Sequence, residues 1–371
     1  MTQYLWEHPE WTRFRWRNES IIGALGECRL LQGKLLGEVT GLGLTLENQT
    51  QVEILAEETL MTAAIEGENL DIKTIRSSVA RKLGLPSAGL STDRHIDGLV
   101  SVLLDATQRH DAPLTEERLL GWHASLFPTG YSGMHRISVG KWRGTQPMRV
   151  VSGPVGRETI HFEAPPADLI PAEIGLFLEW WNESRGNLEG LLRAAIVHFW
   201  FVTIHPFEDG NGRIARALTD MALSQDDRQP IRYYSLSSQI MAERDAYYNV
   251  IERCQKGDGD ITQWLGWFLG CFGRAIQRSE VLLKTVLDKA AFWKTHAQEP
   301  LSERQRKVLN RMLDAGKGGF EGGLTTRKYV SLADVSRATA FREMEQLLAL
   351  GILKQNPGRG RSVSYDLSWP D

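Results

Sequence analysis

The chain has 371 residues, enough at roughly 150 per domain for two or three domains. With 42% hydrophobic and 24% charged residues it has the makeup of a folded chain, so wholesale disorder is excluded. A net charge of −3 excludes a polycation that coats nucleic acid along its whole length. No apolar run approaches the ~18–20 residues that a membrane span needs, so no membrane partner is expected. Tyr4, Trp6 and Trp11 stand among charges where a signal peptide would carry its apolar core. Cys28, Cys254 and Cys271 are odd in number, far apart and outside any CxxC, as expected of buried thiols in a reducing compartment. The expected address is cytoplasmic.

Residues 1–16 carry Tyr4, Trp6, Trp11, Phe14 and Trp16 at a spacing that fits neither a helix face nor a strand. An arm packed onto a helical body is expected, and a homodimer through these aromatics is the other reading. From about 17 to 110 the pattern is helical, with Val52, Leu55, Ala56, Leu60 and Ala63 on one face. That helix should stop at Ile65-Glu66-Gly67, where Gly67 can take a left-handed cap. Helices at about 72–83, 92–109 and 114–126 should follow. Arg149–Ser152 and Arg157–Phe162, joined by Gly153-Pro-Val-Gly156, read as a β-hairpin closed by Pro165-Pro166. Helices resume near 168–184, 188–204, from about 213 to 225, and at about 240–255 and 260–280. Past 296 one helix (302–315), a glycine-rich loop (Gly316–Gly323) and a helix pair (331–335 and 337–350) lead to strand, tip and strand. Pro357-Gly-Arg-Gly-Arg361 forms the tip, and the order suggests a winged helix.

One stretch carries the chemistry: His205-Pro-Phe-Glu-Asp-Gly-Asn-Gly-Arg-Ile-Ala-Arg216. An apolar helix runs into Pro206, and Asp209-Gly-Asn-Gly212 forms a tight loop that lets backbone approach a ligand. The next helix, starting at about Arg213, offers unpaired N–H groups and a positive dipole end to an anion. Arg213 and Arg216 share a face at the end where cations are unfavourable, an arrangement that makes sense under phosphates. Asp209 adds one hard oxygen ligand, enough for a Mg²⁺ carried by phosphates. His205 is the natural general base.

This stretch matches the Fic motif HPFx(D/E)GNGRxxR at every specified position, and from about 115 to 285 the chain resembles the Fic family core. The resemblance implies a mainly α fold: a helical core with a β-hairpin flap, here followed by a small winged-helix-like domain. Three regions result: 1–110 with the aromatic arm and an inhibitory helix, 111–285 as the Fic core, and 296–371. The implied activity is protein adenylyltransferase, moving AMP from ATP to a Ser, Thr or Tyr hydroxyl with Mg²⁺ or Mn²⁺. By the resemblance His205 deprotonates the target and Asp209 holds the metal. Gly210, Asn211 and Gly212 grip the phosphates, Arg213 and Arg216 neutralise them, and Phe207 anchors the loop. Phosphate-transferring relatives carry lysine at the Gly212 position, which favours nucleotidyl transfer. The flap, with Thr159, Ile160, His161 and Phe162, would hold the target protein by strand addition. Tyr247 and Tyr248 stand where relatives place an aromatic pair near the nucleoside, and Gln255 near a polar nucleoside contact; on periodicity the tyrosines read as core. His198 reads as a satisfied core histidine, and His161 and Glu163 lack metal-ligand spacing.

Thr62-Ala-Ala-Ile-Glu66-Gly67 matches the family's inhibitory pattern (S/T)xxxE(G/N), and the aromatic N-terminus resembles the small domain preceding the core in some bacterial members. Glu66 is an anion at the unfavourable end of its helix and should reach Arg216. The expected function is thus an autoinhibited adenylyltransferase that also modifies itself, with AMP removal left open. The rival from another class is a DNA-binding transcriptional regulator whose Fic core senses nucleotide. Residues 302–371 have a net charge of +4 against −7 for the rest. Arg337 and Arg342 on a recognition helix and Arg359 and Arg361 at the wing tip would meet phosphates, while Glu343 and Glu345 dilute the basic face. DNA and protein therefore both stay open as partners of that domain.

Overall fold

The computed structural model describes residues 4–39, 44–87, 89, 93–153, 157, 159–357 and 363–369. Among these, fourteen α-helices and three two-stranded antiparallel sheets are present. In chain order they are α1 (Asn18–Val39), α2 (Leu44–Ile65), α3 (Ile72–Lys82), α4 (Arg94–Gln108) and α5 (Glu116–Leu126). Then come β1 (Tyr131–Ser132), β2 (His135–Arg136), β3 (Arg149–Ser152), β4 (Thr159–Glu163), α6 (Ile170–Ser184), α7 (Gly190–Ile204) and α8 (Asn211–Asp227). The remainder is α9 (Leu236–Ala242), α10 (Arg244–Gln255), α11 (Thr262–Thr295), α12 (Glu303–Asp314), α13 (Thr326–Ala333), α14 (Arg337–Ala349), β5 (Leu353–Gln355) and β6 (Tyr365–Leu367). No described helix is long and apolar enough to cross a membrane.

The chain divides into two compact units, Met1–Gly41 with Gln51–Ser279, and Leu42–Thr50 with Glu280–Asp371. The first is built around α7. Leu191 to Ile204 are all buried, as an all-round apolar helix requires, and α8 packs along it. Helices α4 and α5 also pack against α8. Side-chain caps from Asp71, Asp93 and Thr115 fix where α3, α4 and α5 begin. The aromatic arm packs inward as expected. Phe14 meets Phe199 and Trp200 edge-on, Trp11 sits on Trp200, and the Trp11 indole donates to Glu173 at 3.2 Å. All three cysteines are free and buried.

The flap pairs Arg149 with Glu163 and Ser152 with Thr159, with a bulge between Val150 and Val151. The connecting residues 154–156, and residue 158, lie outside the described residues. The arm also braces this hairpin: the Trp6 indole donates to the Glu163 carbonyl at 2.7 Å, and Tyr4 stacks edge-on against Phe162.

In the second unit Val308, Leu309, Met312, Leu313, Leu324, Tyr329, Leu347, Ile352 and Leu367 form one core. Helices α12 to α14 precede the antiparallel β5–β6 pair. Arg359 and Arg361 lie outside the described residues. Several boundaries differ from expectation for local reasons. Helix α13 begins at Thr326, because the Thr325 hydroxyl accepts from Lys328 N. Expected near 280, the end of α11 falls at Thr295, with no Gly or Pro to break it sooner after Gly273. Ser235 caps a separate α9 ahead of α10. Glu343 does not dilute a basic face: it is buried, accepting from Tyr329 Oη at 2.7 Å and pairing with Arg304 at 3.0 Å.

Candidate active site

Helix α7 ends on His205, a non-glycine residue in the left-handed region at φ 50°, ψ 58°. Such a conformation costs of order 1 kcal/mol and persists only where surroundings enforce it. Here Arg143 enforces it. Its Nε donates to the His205 carbonyl at 2.8 Å, its backbone N–H donates to the Pro206 carbonyl at 2.9 Å, and its Nη2 donates to the Pro165 carbonyl. One buried guanidinium therefore ties the histidine to the base of the flap.

The imidazole's Nδ1 lies 3.1 Å from the Val202 carbonyl, which can only accept. That contact puts the proton on Nδ1 and leaves Nε2 as the basic nitrogen. Burial, helped by the Arg143 charge, holds the His205 pKa below its ordinary value. The Val202 contact, Glu66 and Asp209 oppose that shift.

Past Pro206 the loop is held from within. Phe207 is fully buried and lies flat on His123, ring centroids 4.1 Å apart and 5° from parallel. The Asn211 side chain is turned into the loop, so only its backbone N–H is left for the expected phosphate contact. Its Oδ1 accepts from Phe207 N–H and its Nδ2 donates to the Phe207 carbonyl, both at 2.9 Å, so it staples the loop. Glu208 accepts from the Ser138 N–H and hydroxyl, each at 2.9 Å. Gly210 takes φ 83°, and Ile214 N–H donates back to its carbonyl at 3.0 Å. Helix α8 thus begins at Asn211, earlier than expected. The N–H groups of Asn211, Gly212 and Arg213 precede its first internal bond and have no partner within the helix. Arg213 is the third helical residue, and Arg216 lies in the second turn instead of the first. At Gly212 a methyl group would run into the Glu66 carboxylate.

Asp209 is half-buried. Its Oδ1 accepts from Gly210 N–H at 2.5 Å and lies 3.5 Å from Arg213 Nη2, and its Oδ2 accepts from the Ser132 hydroxyl. Ser132 belongs to the β1–β2 pair, which sequence reasoning missed because each strand is two residues long.

Both arginines are buried and each meets a different glutamate. Arg216 Nη2 donates to Glu66 Oε1 at 2.7 Å and to the Thr62 carbonyl at 2.9 Å, and its Nε donates to Thr62 Oγ1 at 2.6 Å. The expected approach of Glu66 to Arg216 is therefore observed, with Thr62 as part of the same grip. Arg213 Nη1 donates to Glu68 Oε1 at 2.6 Å, with its guanidinium over the Phe127 ring at 4.8 Å. The Arg213 Nε and Arg216 Nη1 protons are buried without a hydrogen-bond partner. Gly67 at φ 84° makes the chain reversal. Glu68 N–H bonds the Ala63 carbonyl and Gly67 N–H the Ala64 carbonyl, each at 3.0 Å, a Schellman turn.

Other expected contacts differ. Tyr247 is buried among Tyr248, Trp264 and Trp267, and its hydroxyl lies 2.8 Å from His198 Nε2, so its ring has no free face for a nucleoside. Tyr248 is 38% exposed, with the Arg244 guanidinium over its ring at 5.3 Å. Gln255 is buried and donates to Thr203 at 3.3 Å. His198 is a core histidine held by Thr219 and Tyr247. On the flap Thr159 and Ile160 are exposed and His161 is paired with Glu252 at 2.8 Å. Phe162 turns inward under Tyr4, so its side chain is not a docking contact.

Comparison with known proteins fits this geometry. Residues 113–223 match the Fic/DOC family model, and residues 4–85 match a domain of unknown function, DUF4172. The chain is 27% identical over 220 residues to the protein adenylyltransferase Fic of Nematostella vectensis, covering 57% of this chain and 46% of that one. It is 26% identical over 278 residues to the protein adenylyltransferase Fic of Culex quinquefasciatus, covering 72% and 51%. The chain thus spans about half the length of these curated relatives. A Fic family protein from Desulfovibrio desulfuricans G20 shares the fold at a TM-score of 0.53 and 19% identity, over 94% of this chain and 96% of that one. The chain carries a Fic/DOC family domain, at residues 113–223.

Proposed function

We propose that this protein is an adenylyltransferase that moves AMP from ATP to a hydroxyl of a protein, and that it rests in an inhibited state. The reading is supported by one juxtaposition above all. A histidine with a free Nε2 stands beside a helix N-terminus backed by two buried arginines with unpartnered N–H groups. The curated relatives named protein adenylyltransferase support the same chemistry.

In this reading the phosphates of ATP lie over the first turn of α8, on the N–H groups of Asn211, Gly212 and Arg213. His205 Nε2 takes the proton of the target hydroxyl. The hydroxyl oxygen bonds to the α-phosphorus as the bond from that phosphorus to the bridging oxygen breaks, and pyrophosphate leaves. Among the described residues no three His, Cys, Asp or Glu form a cation site by themselves. Asp209, half-exposed at the loop, fits the single carboxylate that a phosphate-borne Mg²⁺ or Mn²⁺ needs. Such an ion would neutralise charge on the phosphates. The target segment would add along the flap at Thr159 and Ile160 through main-chain hydrogen bonds. Tyr248 is the remaining candidate for a nucleoside contact.

Incubating the full chain with labelled ATP and Mg²⁺, read by intact mass, tests the reading. Glu66→Gly should gain AMP. His205→Ala in that background should lose transfer by roughly 10²–10⁴-fold while still binding ATP. No gain in mass by Glu66→Gly with any protein acceptor would sink it.

The winged-helix-like unit supports a second role. Arg337 and Arg342 are exposed on α14, and with Glu343 withdrawn into the core the face is more basic than the sequence suggests. Salt-dependent retention of duplex DNA by the full chain would favour a DNA-bound regulator, and its absence a protein partner.

A further inference from the structure

The inhibitory pattern specifies one glutamate, but the turn after α2 delivers two. We propose that Glu68 is a second governing residue of the nucleotide site, occupying Arg213 as Glu66 occupies Arg216, so that ATP must displace two carboxylates to be held productively. The inference rests on reading Arg213 as a phosphate ligand.

Geometry carries it. Glu68 Oε1 receives Arg213 Nη1 at 2.6 Å, and its other oxygen, Oε2, receives His95 Nε2 at 2.8 Å. Both carboxylate oxygens are engaged, one from α8 and one from α4, so the side chain is aimed and not merely nearby. Arg213 is 1% exposed, whereas Glu68 is 29% exposed. A buried guanidinium with an unpartnered Nε needs an anion, and the carboxylate that supplies it stands on the solvent side, where an entering phosphate would compete. Asp209 cannot take its place, since its nearer oxygen is 3.5 Å from Arg213 Nη2 and already accepts from Gly210. The His95 contact raises the histidine's pKa, and despite the cost of burial His95 and Arg213 together hold the Glu68 carboxyl below its ordinary value. Glu68 is therefore charged wherever the site would meet ATP. Sequence spacing hides this residue because Gly67 reverses the chain between the two glutamates.

The test measures equilibrium binding of Mg²⁺–ATP and AMP incorporation for the full chain as wild type, Glu66→Gly, Glu68→Gln and the double variant. Glutamine keeps the shape and removes the charge. Glu68→Gln should bind ATP at least about 5-fold more tightly than wild type, and the double variant should bind more tightly than Glu66→Gly. His95→Phe, which removes the contact that aims Glu68, should tighten binding in the same direction by less. Thermal melting checks that each variant is folded, and His95→Phe carries the test if Glu68→Gln is not. Equal affinity for wild type and both the Glu68 and His95 variants would overturn the proposal, whatever Glu66→Gly does. Failure of Glu66→Gly to incorporate AMP, with tighter ATP binding by Glu68→Gln, would sink the transfer reading and leave Glu68 in its role.

Discussion

Arg143 holds His205 through the histidine's main chain and not its ring: Nε donates to the His205 carbonyl at 2.8 Å. The same guanidinium reaches the Pro165 carbonyl just beyond the flap, and among the described residues it pairs with no carboxylate. Its charge is therefore left to act on the imidazole that it positions. Along with burial it lowers the histidine's pKa, which favours the neutral imidazole.

From that follows a pH dependence. In the proposed reaction the base works only when unprotonated, so the transfer rate should fall as pH drops through the His205 pKa. Because that pKa is depressed, the acidic limb should lie below the ordinary histidine value of about 6.5. Arg143→Met removes a cation, so the limb should move to higher pH while the rate above it drops; Arg143→Lys keeps the charge and should lose rate without moving the limb. Initial rates of AMP incorporation against pH, all in the Glu66→Gly background, decide this. An unmoved limb in Arg143→Met would show that Arg143 acts on geometry alone.

Release of Arg216 should be asymmetric. Glu66→Gly frees the guanidinium for phosphate and should raise incorporation by about 5–150-fold, the range of a typical coupling. Arg216→Ala discards both the glutamate contact and the phosphate contact, so it should not raise transfer, and Glu66→Gly/Arg216→Ala should match Arg216→Ala alone. A double variant as active as Glu66→Gly would remove Arg216 from phosphate binding.

Asp209→Ala and Arg213→Ala should both weaken productive ATP binding yet differ in rescue. Losing the carboxylate removes a cation ligand, which raised Mg²⁺ or Mn²⁺ should partly restore. Losing the guanidinium removes a charge-assisted contact that no cation replaces. Titrating metal against incorporation in both variants tests the division of roles, and equal rescue would contradict it.

Buried neutral histidines predict acid sensitivity of the fold. Burial lowers the His198 pKa to about 3 and the His123 pKa to about 4. The unfolded chain takes up these protons near pH 6.5 and the folded chain only well below it. Their contribution to stability is thus complete above pH 6.5 and is lost as pH falls toward the folded values, at most about 1.4 kcal/mol per pH unit for each histidine. His198→Gln can still bond Thr219 and Tyr247 and should make the urea midpoint fall less between about pH 7 and pH 5 than in wild type. An equal fall in both would refute the assignment.

Where the fold was legible, the signal was contiguous. Helix α7 declares itself as a mostly apolar stretch that stops just before His205-Pro206, and the twelve residues from His205 to Arg216 carry loop, glycines and arginines in one stretch. What stayed hidden depends on which way a side chain turns. Asn211 and Phe162 belong to segments read correctly, but one closes its own loop and the other packs under the N-terminal arm. Glu343 could have been read inward, since it shares a face with Ala340, Met344 and Leu347, but its charge argued for solvent until Tyr329 and Arg304 came into view. Arg143 and Glu68 lie 62 and 145 residues from the groups they hold, and no local pattern spans such separations.

The Schellman turn that closes α2 has a kinetic consequence. Glu66 and Glu68 stand on either side of Gly67, so one local opening of that turn withdraws both carboxylates together. Helix ends open and reclose within roughly a microsecond, whereas nucleotide-using transfer enzymes turn over on the order of 1–10³ times per second. The turn would equilibrate thousands of times within each catalytic cycle. If the two carboxylates restrain the site as proposed, such restraint would impose no lag: it would scale the steady rate by the fraction of time the turn is open, and a partner that merely held the turn open would set the output continuously, like a dimmer.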